Sequence, residues 1–419
     1  MLRIIHTSDW HLGQELAGWS RLAEQQRALA ALADAVIETR ADALIVAGDV
    51  FDHQNPSAEA QGLLFDLLDR VTTARPRLTT VIVAGNHDSA GRIEAPARIL
   101  TWRRVHVVGS LARRGGAIDL DRHLIPLESA AGMVEAYALA VPYLRPGDLD
   151  WSRRESDERS GAARLAEAIA DTYDDLARAA RARIGRRPLI ATGHLTVAGA
   201  TLSPSASERQ IQIGGEDAVP SAVLGDEPVY VALGHLHRAQ TVKSASGPVV
   251  RYSGSLLPLS AAERGYDHGV TLVEVDRNGG VRCEHIPLPH PAPFLRIPAS
   301  GHLPLTEVEA ALASAGLDAG LPEDRWPFVE LGIAIEGPAP SLRAELDTLL
   351  QSHAIRPLAP DFRRPTGVAG QASSAPSRRL AELDPRDLFT AAFARQHGCD
   401  PGPEHLQAFA EALEGARAC

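Results

Sequence analysis

Residues 2–12, LRIIHTSDWHL, decide the fold class, because an apolar run ends abruptly in a cluster of polar side chains. Leu2–Ile5 predicts a strand that is buried within a sheet. The same pattern recurs at Ala43–Val46, which leads into Gly48-Asp49, and at Thr80–Val83, which leads into GNHD. Each of these apolar runs is short and bounded by glycine and polar residues, so each predicts a buried strand.

Helical spacing of apolar residues lies between these strands, in Leu22–Ile37 and Ala60–Val71. Alternating strands and helices predict a layered α/β domain. The pattern continues with a helix expected over roughly Ala162–Ile184 and with strands expected at Leu189–Ala191, Val229–Leu233, Val249–Tyr252 and Val270–Val275.

The composition is that of an ordinary globular protein, with 45% hydrophobic and 23% charged residues in a chain of 419. This length predicts two or three domains of ~100–200 residues each. No apolar run approaches the ~20 residues of a membrane-spanning helix, and the polar residues from His6 onward do not fit a signal peptide. Three widely spaced cysteines suit a reducing compartment. The expected location is therefore cytoplasmic.

Proline-rich stretches mark the expected domain boundaries. PLPHPAP at residues 287–293 breaks regular structure after a first domain assigned to residues 1–285. Strand and helix patterns then alternate in a small α/β module at residues 290–360. A stretch rich in proline, glycine and serine is assigned as a linker at residues 361–380. Residues 381–419 are expected to form C-terminal helices, because two apolar stripes at helical spacing occur there.

Five polar clusters each follow a predicted strand: Asp9-Trp10-His11, Gly48-Asp49, Gly85-Asn86-His87-Asp88, Gly193-His194 and Gly234-His235-Leu236-His237. Loops beyond the carboxyl ends of strands in an α/β sheet converge on one crevice, so residues far apart in sequence can meet there. Alternate residues of an extended chain project to the same side, so Asp9 and His11 can address one centre. The convergence of these clusters predicts a metal site.

The donor types in these clusters are carboxylate, amide and imidazole, a mixture suited to manganese, iron or zinc. Magnesium alone fits poorly, because it prefers oxygen ligands and retained water. Taken singly, each cluster has a plainer interpretation. The D-x-H and H-x-H pairs arise by chance in many proteins, Asp49 can end a strand, and Asn86 can occupy a turn after Gly85. The coincidence of five clusters favours the metal site.

The same motifs resemble, in order and wording, those of the calcineurin-like metallophosphoesterases: HTSDWHLGQ (6–14), GDVFD (48–52), GNHDS (85–89), ATGHLT (191–196) and ALGHLHRAQ (232–240). The first and last of them, with VPYLRPGD (141–148) and RYSGSLLPLSAAE (251–263), resemble more narrowly the SbcD family of bacterial nucleases. The resemblance extends from residue 1 to about 275. It implies a layered β-sandwich nuclease domain flanked by helices, with a small α/β capping domain and C-terminal helices.

The resemblance also implies two divalent metal ions, with Mn2+ expected. One ion is assigned to Asp9, His11, Asp49 and His237, and the other to Asp49, Asn86, His194 and His235. A carboxylate shared by two cations holds them ~3.5–4 Å apart, which is the separation that clamps a phosphodiester for in-line attack by water. The shared carboxylate would be that of Asp49.

His87 belongs to neither ligand set. The resemblance implies that it is a catalytic residue that contacts the phosphate and assists the leaving oxygen, which histidine can do as a cation or an acid. The alternative is a supporting role toward Asn86 or Asp88. Some relatives carry another active-site histidine three residues after the shared aspartate. Here that residue is Asp52, and His53 follows it, so the roles of both stay open.

The net charge of −11, from 42 basic and 53 acidic residues, opposes nucleic-acid binding by bulk charge. Paired dications would reverse the local field at a scissile phosphate. Arginines near the motifs are candidates to extend this positive patch to neighbouring phosphates: Arg92, Arg103, Arg104, Arg238 and Arg251. Taken alone, each is more typical of a solvated surface charge.

The resemblance implies DNA as the substrate, with exonuclease activity on duplex ends and endonuclease activity on hairpin or single-stranded DNA during repair and recombination. It implies an SbcC-type ATPase partner, bound through the helices at Pro385–Gln396 and Glu404–Ala416, and a homodimer within a heterotetramer. The apolar stripes of these helices are equally consistent with helices that pack on their own domain.

Two other functions stay open from the sequence. One is a metallophosphoesterase that acts on a small phosphodiester or a phosphoprotein, and the extra module, linker and helices argue against it. The other is a catalytically silent protein that tethers DNA for the ATPase. The full set of metal-type residues together with His87 argues against this second alternative.

Overall fold

The computed structural model describes residues 1–115, 117–151, 161–202, 218–242, 247–335, 339–364, 389–390, 393, 401–402 and 405–409. The chain divides into two units, residues 1–364 and 365–419. The helices of the first unit, within the described residues, are α1 Leu22–Glu38, α2 Ala58–Ala74, α3 Ala90–Glu94, α4 Ala97–Leu100, α5 Leu120–His123, α6 Gly161–Ile184, α7 Leu305–Ser314 and α8 Ala339–Leu350. Its strands, within the same residues, are β1 Leu2–Thr7, β2 Glu15–Leu16, β3 Trp19–Ser20, β4 Ala43–Ala47, β5 Thr79–Val83, β6 Val105–Val108, β7 Arg113–Arg114, β8 Ala117–Ile118, β9 Leu124–Glu128, β10 Val134–Leu139, β11 Leu189–His194, β12 Tyr230–Gly234, β13 Gln240–Val242, β14 Val249–Tyr252, β15 Gly269–Val275, β16 Val281–Pro287, β17 Phe294–Ile297, β18 Phe328–Ala334, β19 Arg356–Pro357 and β20 Asp361–Arg363.

Two six-stranded sheets form the body of the first unit. The strand order is β16-β15-β1-β4-β5-β6 in the first sheet and β13-β14-β12-β11-β10-β9 in the second. In the first sheet β1 lies between β4, to which it is parallel, and β15, to which it is antiparallel. In the second sheet β10, β11, β12 and β14 run parallel. The parallel strands place their carboxyl ends at one edge of each sheet, and the polar clusters of the sequence follow these ends.

Alternation along β1 shows how the layers stack. Ile4 packs with Ile45 in the core between the two sheets. Ile5 points to the opposite face and packs with residues of α1 and α2, among them Leu32 and Leu67. A strand that is buried on both faces needs consecutive apolar residues, which explains the pair Ile4-Ile5, whereas Arg3 near the start of the strand is exposed.

Helix α6 covers the outer face of the second sheet. Its residues Ile169, Tyr173 and Leu176 pack with Leu189 of β11 and Val231 of β12. The layers therefore run from helices to sheet, to sheet, to helix. This arrangement confirms the predicted layered α/β fold with a sandwich of two sheets.

The small module follows β16, which ends at Pro287. Strands β17, β18 and β19 form a parallel sheet, on which Val308 of α7 and Leu346 of α8 pack. The sequence prediction ended this module at residue 360 and began a linker at 361. Instead, Asp361–Arg363 pairs with Gly332–Ala334 of β18, so the structure moves this boundary to Arg363. This strand has a single apolar residue, Phe362, between two charged ones, so its sequence shows no apolar run that would predict a strand.

A buried charge cluster connects the small module with α1. Glu24 accepts hydrogen bonds from Arg21 Nη2 at 2.9 Å and from Arg356 Nη1 at 2.5 Å. All three residues are 1% exposed. Arg356 Cζ also lies 3.8 Å from the centroid of the Phe328 ring, and Arg21 Nη1 donates to Gln14 Oε1 at 3.0 Å. One carboxylate therefore holds the module, the helix and the loop that follows β1 together.

Most of the described residues of the second unit fall on the predicted C-terminal helices, and residues 401–402 lie between them. Phe389, Phe393 and residues 405–409 are helical. The ring of Phe389 stacks on that of Phe409, with centroids 4.4 Å apart. The two apolar stripes therefore contact each other at these positions. The expected linker beyond residue 364 and the rest of both helices lie outside the described residues. Among the helices that the structure does describe, none has the length and apolar character needed to cross a bilayer.

Candidate metal centre

The site lies where the carboxyl ends of both sheets meet. The first sheet contributes Asp9 after β1, Asp49 after β4 and Asn86 after β5, whereas the second sheet contributes His194 at the end of β11 and both histidines of GHLH after β12. Every predicted metal-ligating residue is thus brought to this edge: Asp9, His11, Asp49, Asn86, His194, His235 and His237. The site exists only when the two sheets are packed together.

Two groups of buried donor atoms form the centre. The first group consists of Asp9, His11 and His237, and the second group of Asp49, His194 and His235. Within each group the donor atoms lie within 4.8 Å of one another. Asn86 belongs beside the second group, because its Oδ1 lies 3.0 Å from His194 Nε2.

Asp49 belongs to the second group and also faces the first. Its Oδ2 is 3.1 Å from His194 Nε2 in the second group and 3.7 Å from His11 Nε2 in the first. Its Oδ1 accepts a hydrogen bond from the backbone N–H of His87 at 2.9 Å. One carboxylate oxygen therefore faces donor atoms on both sides, while the backbone fixes the other oxygen.

The Nδ1 atoms of three histidines are held from outside the centre. His11 Nδ1 lies 3.0 Å from Asp52 Oδ1, and His237 Nδ1 lies 3.0 Å from Glu263 Oε1. His194 Nδ1 donates instead to the backbone carbonyl of Ala47 at 2.8 Å. Such contacts fix the tautomer and the ring orientation, so they leave Nε2 as the nitrogen available to a metal.

The donor set fits divalent cations. Within the described part of the chain, the Nε2 atoms of His11 and His235 are buried and have no hydrogen-bond partner. Unpartnered buried nitrogens are costly unless something binds them. Imidazole nitrogens beside the carboxylates of Asp9 and Asp49 are the ligands that manganese, iron and zinc prefer.

Backbone strain is concentrated at the same residues. Asp9, His11, Asp49 and His235 have positive φ angles of 54°, 45°, 49° and 96°. Non-glycine residues adopt this left-handed region rarely, at a cost of about 1–3 kcal/mol each. Close packing also requires glycine at position 85, where a Cβ atom would overlap Asp49 Oδ1. The loops are therefore held in shape by their surroundings.

Charges in the centre are strongly coupled. Burial disfavours the charge on Asp49, but the imidazoles of His194 and then His11 hold the pKa of this carboxyl below its ordinary range. Burial would lower the pKa of His194, yet the Asp49 carboxylate raises it to about 9. Burial, and then His194, lower the pKa of His235 to about 3. A cation that binds at His194 must therefore displace a proton.

His87 lies at the mouth of the first group. Its Nδ1 donates to the backbone carbonyl of Asp52 at 2.8 Å, and its ring stands edge-on to that of His11 with centroids 4.8 Å apart. His53 is 76% exposed at its side chain and contacts Asp52 Oδ2 at 3.1 Å. Asp52 thus has a defined place, as the partner of His11, whereas His53 lies on the loop surface.

Four further residues support the site, and their roles were not predicted from sequence. Glu263 contacts His237, and Ser8 Oγ donates to Asp9 Oδ2 at 2.5 Å. The Asp88 carboxylate accepts backbone N–H groups from both the GDVFD and GNHD loops. Arg145 Nη2 donates to the Asp88 carbonyl at 2.9 Å. The sequence feature that could have indicated Glu263 and Arg145 is that they lie in the stretches 251–263 and 141–148, which carry the narrower family resemblance.

The five candidate DNA-contacting arginines separate into two sets. Arg104 pairs with Glu128 at 3.1 Å, Arg103 lies 3.9 Å from Asp69, and Arg251 Nε donates to Thr271 Oγ1 at 2.9 Å. Arg92 and Arg238, by contrast, are exposed next to the GNHD and GHLH loops. The latter two are better placed to meet a substrate phosphate.

Comparison with known proteins agrees with this fold and site. The family model described as calcineurin-like phosphoesterase matches residues 2–239. A second, described as the type 5 capsule protein repressor C-terminal domain, matches residues 291–397. The sandwich of two sheets and the carboxylate–histidine centre at its edge define the class, a metal-dependent phosphoesterase of the calcineurin-like type.

Three curated relatives are each named as the SbcD subunit of the nuclease SbcCD. The Rhodobacter capsulatus protein is 46% identical over 392 residues, which are 94% of this chain and 94% of the relative. The Bacillus subtilis protein is 29% identical over 99% of this chain and 98% of its own length, and the Escherichia coli K12 protein is 36% identical over 70% of each. The chain belongs to the SbcD family of nucleases. The resemblance inferred from the motifs is confirmed.

Proposed function

We propose that this chain is a two-metal DNA nuclease that cuts duplex ends as an exonuclease and hairpin or single-stranded DNA as an endonuclease. The observation that carries the proposal is the position of Asp49 Oδ2, which faces His194 Nε2 at 3.1 Å and His11 Nε2 at 3.7 Å. A carboxylate shared between two sets of donor atoms is the arrangement that a pair of cations requires.

The proposed ligands are Asp9, His11, Asp49 and His237 for one ion, and Asp49, Asn86, His194 and His235 for the other. Mn2+ is the proposed ion, because the donors mix carboxylate, amide and imidazole. When bound, such a pair supplies Lewis acidity toward a phosphodiester and toward water. The support for this assignment is the separation of the donor atoms into two buried groups, with Asp49 of the second group also facing His11 of the first.

His87 is the proposed catalytic residue of the chain itself. Because its Nδ1 is engaged by the Asp52 carbonyl, Nε2 is the nitrogen left to contact a phosphate oxygen and to hold or deliver a proton at the leaving oxygen. The backbone N–H of His87 also holds Asp49 Oδ1. Phosphate contact and carboxylate orientation are thus joined in one residue.

DNA is the proposed substrate in spite of the net charge of −11. Cations in the centre would attract phosphate locally, and the exposed Arg92 and Arg238 would extend the contact along the backbone. The proposed contacts are to phosphate and not to bases, so we propose cleavage without base specificity. The biological setting proposed is DNA repair and recombination in the cytoplasm.

An SbcC-type ATPase is the proposed partner, bound through the C-terminal helices. We also propose a homodimer within a heterotetramer, formed by helices of the first domain. The support for the dimer is an apolar surface around α4 and the turn after it, where Trp102 is 84% and Ile99 66% exposed. Large exposed apolar residues beside one another are typical of protein interfaces.

The test is cleavage of an end-labelled DNA hairpin and an end-labelled duplex by the purified chain with Mn2+, with Mg2+ and with chelator. We expect cutting with Mn2+, which chelator abolishes. Asp49→Asn keeps the volume of the side chain and removes the shared charge, so it is expected to abolish cutting. Asp34→Asn, at an exposed residue of α1, is the matched control and should cut like the parent.

Other outcomes separate the alternatives. Rapid turnover of a small chromogenic phosphodiester without DNA cleavage would assign a small-molecule phosphoesterase. Tight DNA binding without turnover of any ester, even with the ATPase partner added, would assign a silent tethering protein. Undiminished cleavage by Asp49→Asn would refute the shared-carboxylate assignment.

A further inference from the structure

We propose that Glu263 and Asp52 are positioning residues that make the first group the tighter metal site, so that the two cations bind in sequence. The inference rests on the proposed function, because it takes the first and second groups as the two metal sites. It assigns to the first group a resident ion and to the second group an ion that is exchanged more readily.

Both histidines of the first group are anchored by carboxylates. His237 Nδ1 meets Glu263 Oε1 and His11 Nδ1 meets Asp52 Oδ1, each at 3.0 Å. A carboxylate behind an imidazole fixes its orientation and increases the basicity of the nitrogen that faces the metal. With Asp9, the first group therefore has three carboxylates in or directly behind its donors, before the shared Asp49 is considered.

Glu263 is itself held in place by its neighbours. The residue is fully buried, and its Oε2 accepts a hydrogen bond from the backbone N–H of Leu259 at 2.9 Å. Its Oε1 also accepts a hydrogen bond from Ser260 Oγ at 3.2 Å. Both oxygens are therefore fixed by the turn that carries them, and this keeps the carboxylate aligned with the ring of His237.

The second group lacks this support in the contacts that the structure gives it. His194 Nδ1 donates to a neutral backbone carbonyl, that of Ala47, and the nearby Asn86 contributes a neutral amide. Arg145 adds a positive charge on this side, since it donates to the carbonyls of Gly85 and Asp88, which flank Asn86. The Asp88 carboxylate is occupied by backbone N–H groups.

The two sites therefore differ in charge and in preorganisation, and both differences favour a cation at the first group. Loss of a partner behind a metal-bound histidine commonly weakens metal affinity by about 10–100-fold. Since carboxylates stand behind both histidines of the first group, whereas the partner behind His194 is the neutral carbonyl of Ala47, we expect the two dissociation constants for Mn2+ to differ by at least about 10-fold.

The experiment is calorimetric titration of the metal-free full chain with MnCl2 at pH 7, without DNA. The parent should bind two ions in two resolved steps. Glu263→Gln should weaken the tighter step by about 10–100-fold and leave the looser step within about 2-fold. Asn86→Ala should weaken the looser step alone. Glu284→Gln, at an exposed residue of β16, is the matched charge control and should change neither step.

Several results would overturn the inference. The first is equal affinity of the parent for the two Mn2+ ions. The second is an equal weakening of both binding steps in Glu263→Gln, which would indicate a merely structural role. The third is a change in Glu263→Gln of the looser binding step alone. Melting curves in chelator establish that each variant is folded. If Glu263→Gln does not fold, Asp52→Asn decides by the same criteria, because the Asp52 side chain is partly exposed and its replacement disturbs the core less.

The outcome is separable from that of the proposed function. Two ordered binding steps in a chain that cuts no DNA would refute the nuclease proposal and retain the inference. DNA cleavage by a chain that binds its two Mn2+ ions with equal affinity would support the nuclease proposal and refute the inference.

Discussion

Replacement of Glu24 by glutamine is expected to cause a large loss of stability, because it removes the carboxylate that lies between two buried guanidinium groups. Glu24, Arg21 and Arg356 are each 1% exposed. Removing one partner of a buried ion pair costs about 3–5 kcal/mol, since it leaves an uncompensated charge in a medium of low polarity. Arg21 keeps its contact with the carbonyl of Pro258 at 2.6 Å, which limits the loss on its side.

Urea unfolding at pH 7 measures this effect. With a slope of about 3 kcal/mol per M, a loss of about 3–5 kcal/mol lowers the midpoint by about 1–1.7 M. Asp34→Asn provides the matched control, because Asp34 pairs with Arg70 at the surface, where such a pair is worth less than about 1 kcal/mol. A midpoint for Glu24→Gln that equals that of the control would refute the reasoning.

Three further predictions concern the centre and its surroundings. His87→Ala should lower kcat for DNA cleavage by about 10²–10⁴-fold while calorimetry still finds two bound Mn2+ ions; loss of an ion would instead indicate a structural role. Gly85→Ala should abolish Mn2+ binding while the circular dichroism spectrum stays unchanged, because the new Cβ would displace Asp49. Unchanged Mn2+ binding would show that a side chain at position 85 does not displace Asp49. Burial, and then Arg251, lower the pKa of His6 to about 3, below the ~6.5 of an unfolded chain, so stability should fall as pH drops from about 6.5 toward 3. His6→Asn should reduce that slope by up to about 1.4 kcal/mol per pH unit in urea titrations between pH 4 and 7, and an unchanged slope would show that His6 is protonated in the fold.

The sequence predicted much of the donor set because each residue follows a strand end. Asp9, Asp49 and Asn86 come directly after buried apolar runs, and parallel strands bring such positions to one edge. The structure does bring them together. The rule did not indicate that His194 and His235 belong to a second sheet, because strand patterns do not tell which strands pair; the sandwich was implied only by the resemblance.

The supporting contacts were not predictable, because they depend on loop paths rather than on periodicity. Glu263 reaches His237 from a turn 26 residues further along the chain. Arg356 meets Glu24 across 332 residues, and nothing in either local sequence indicates the contact. A side chain that is charged and buried cannot be distinguished, by pattern alone, from one that is charged and exposed.

The position of β1 in its sheet has a consequence for biosynthesis. This strand is synthesised long before one of its two neighbours, β15, which is made of Gly269–Val275. At about 5–20 residues per second, translation leaves that edge without its partner for roughly 10–50 s. An apolar strand with an open edge pairs readily with other chains. Products terminated before Gly269 are therefore expected to aggregate rather than to yield a smaller nuclease, and nascent chains are expected to need a chaperone during this interval.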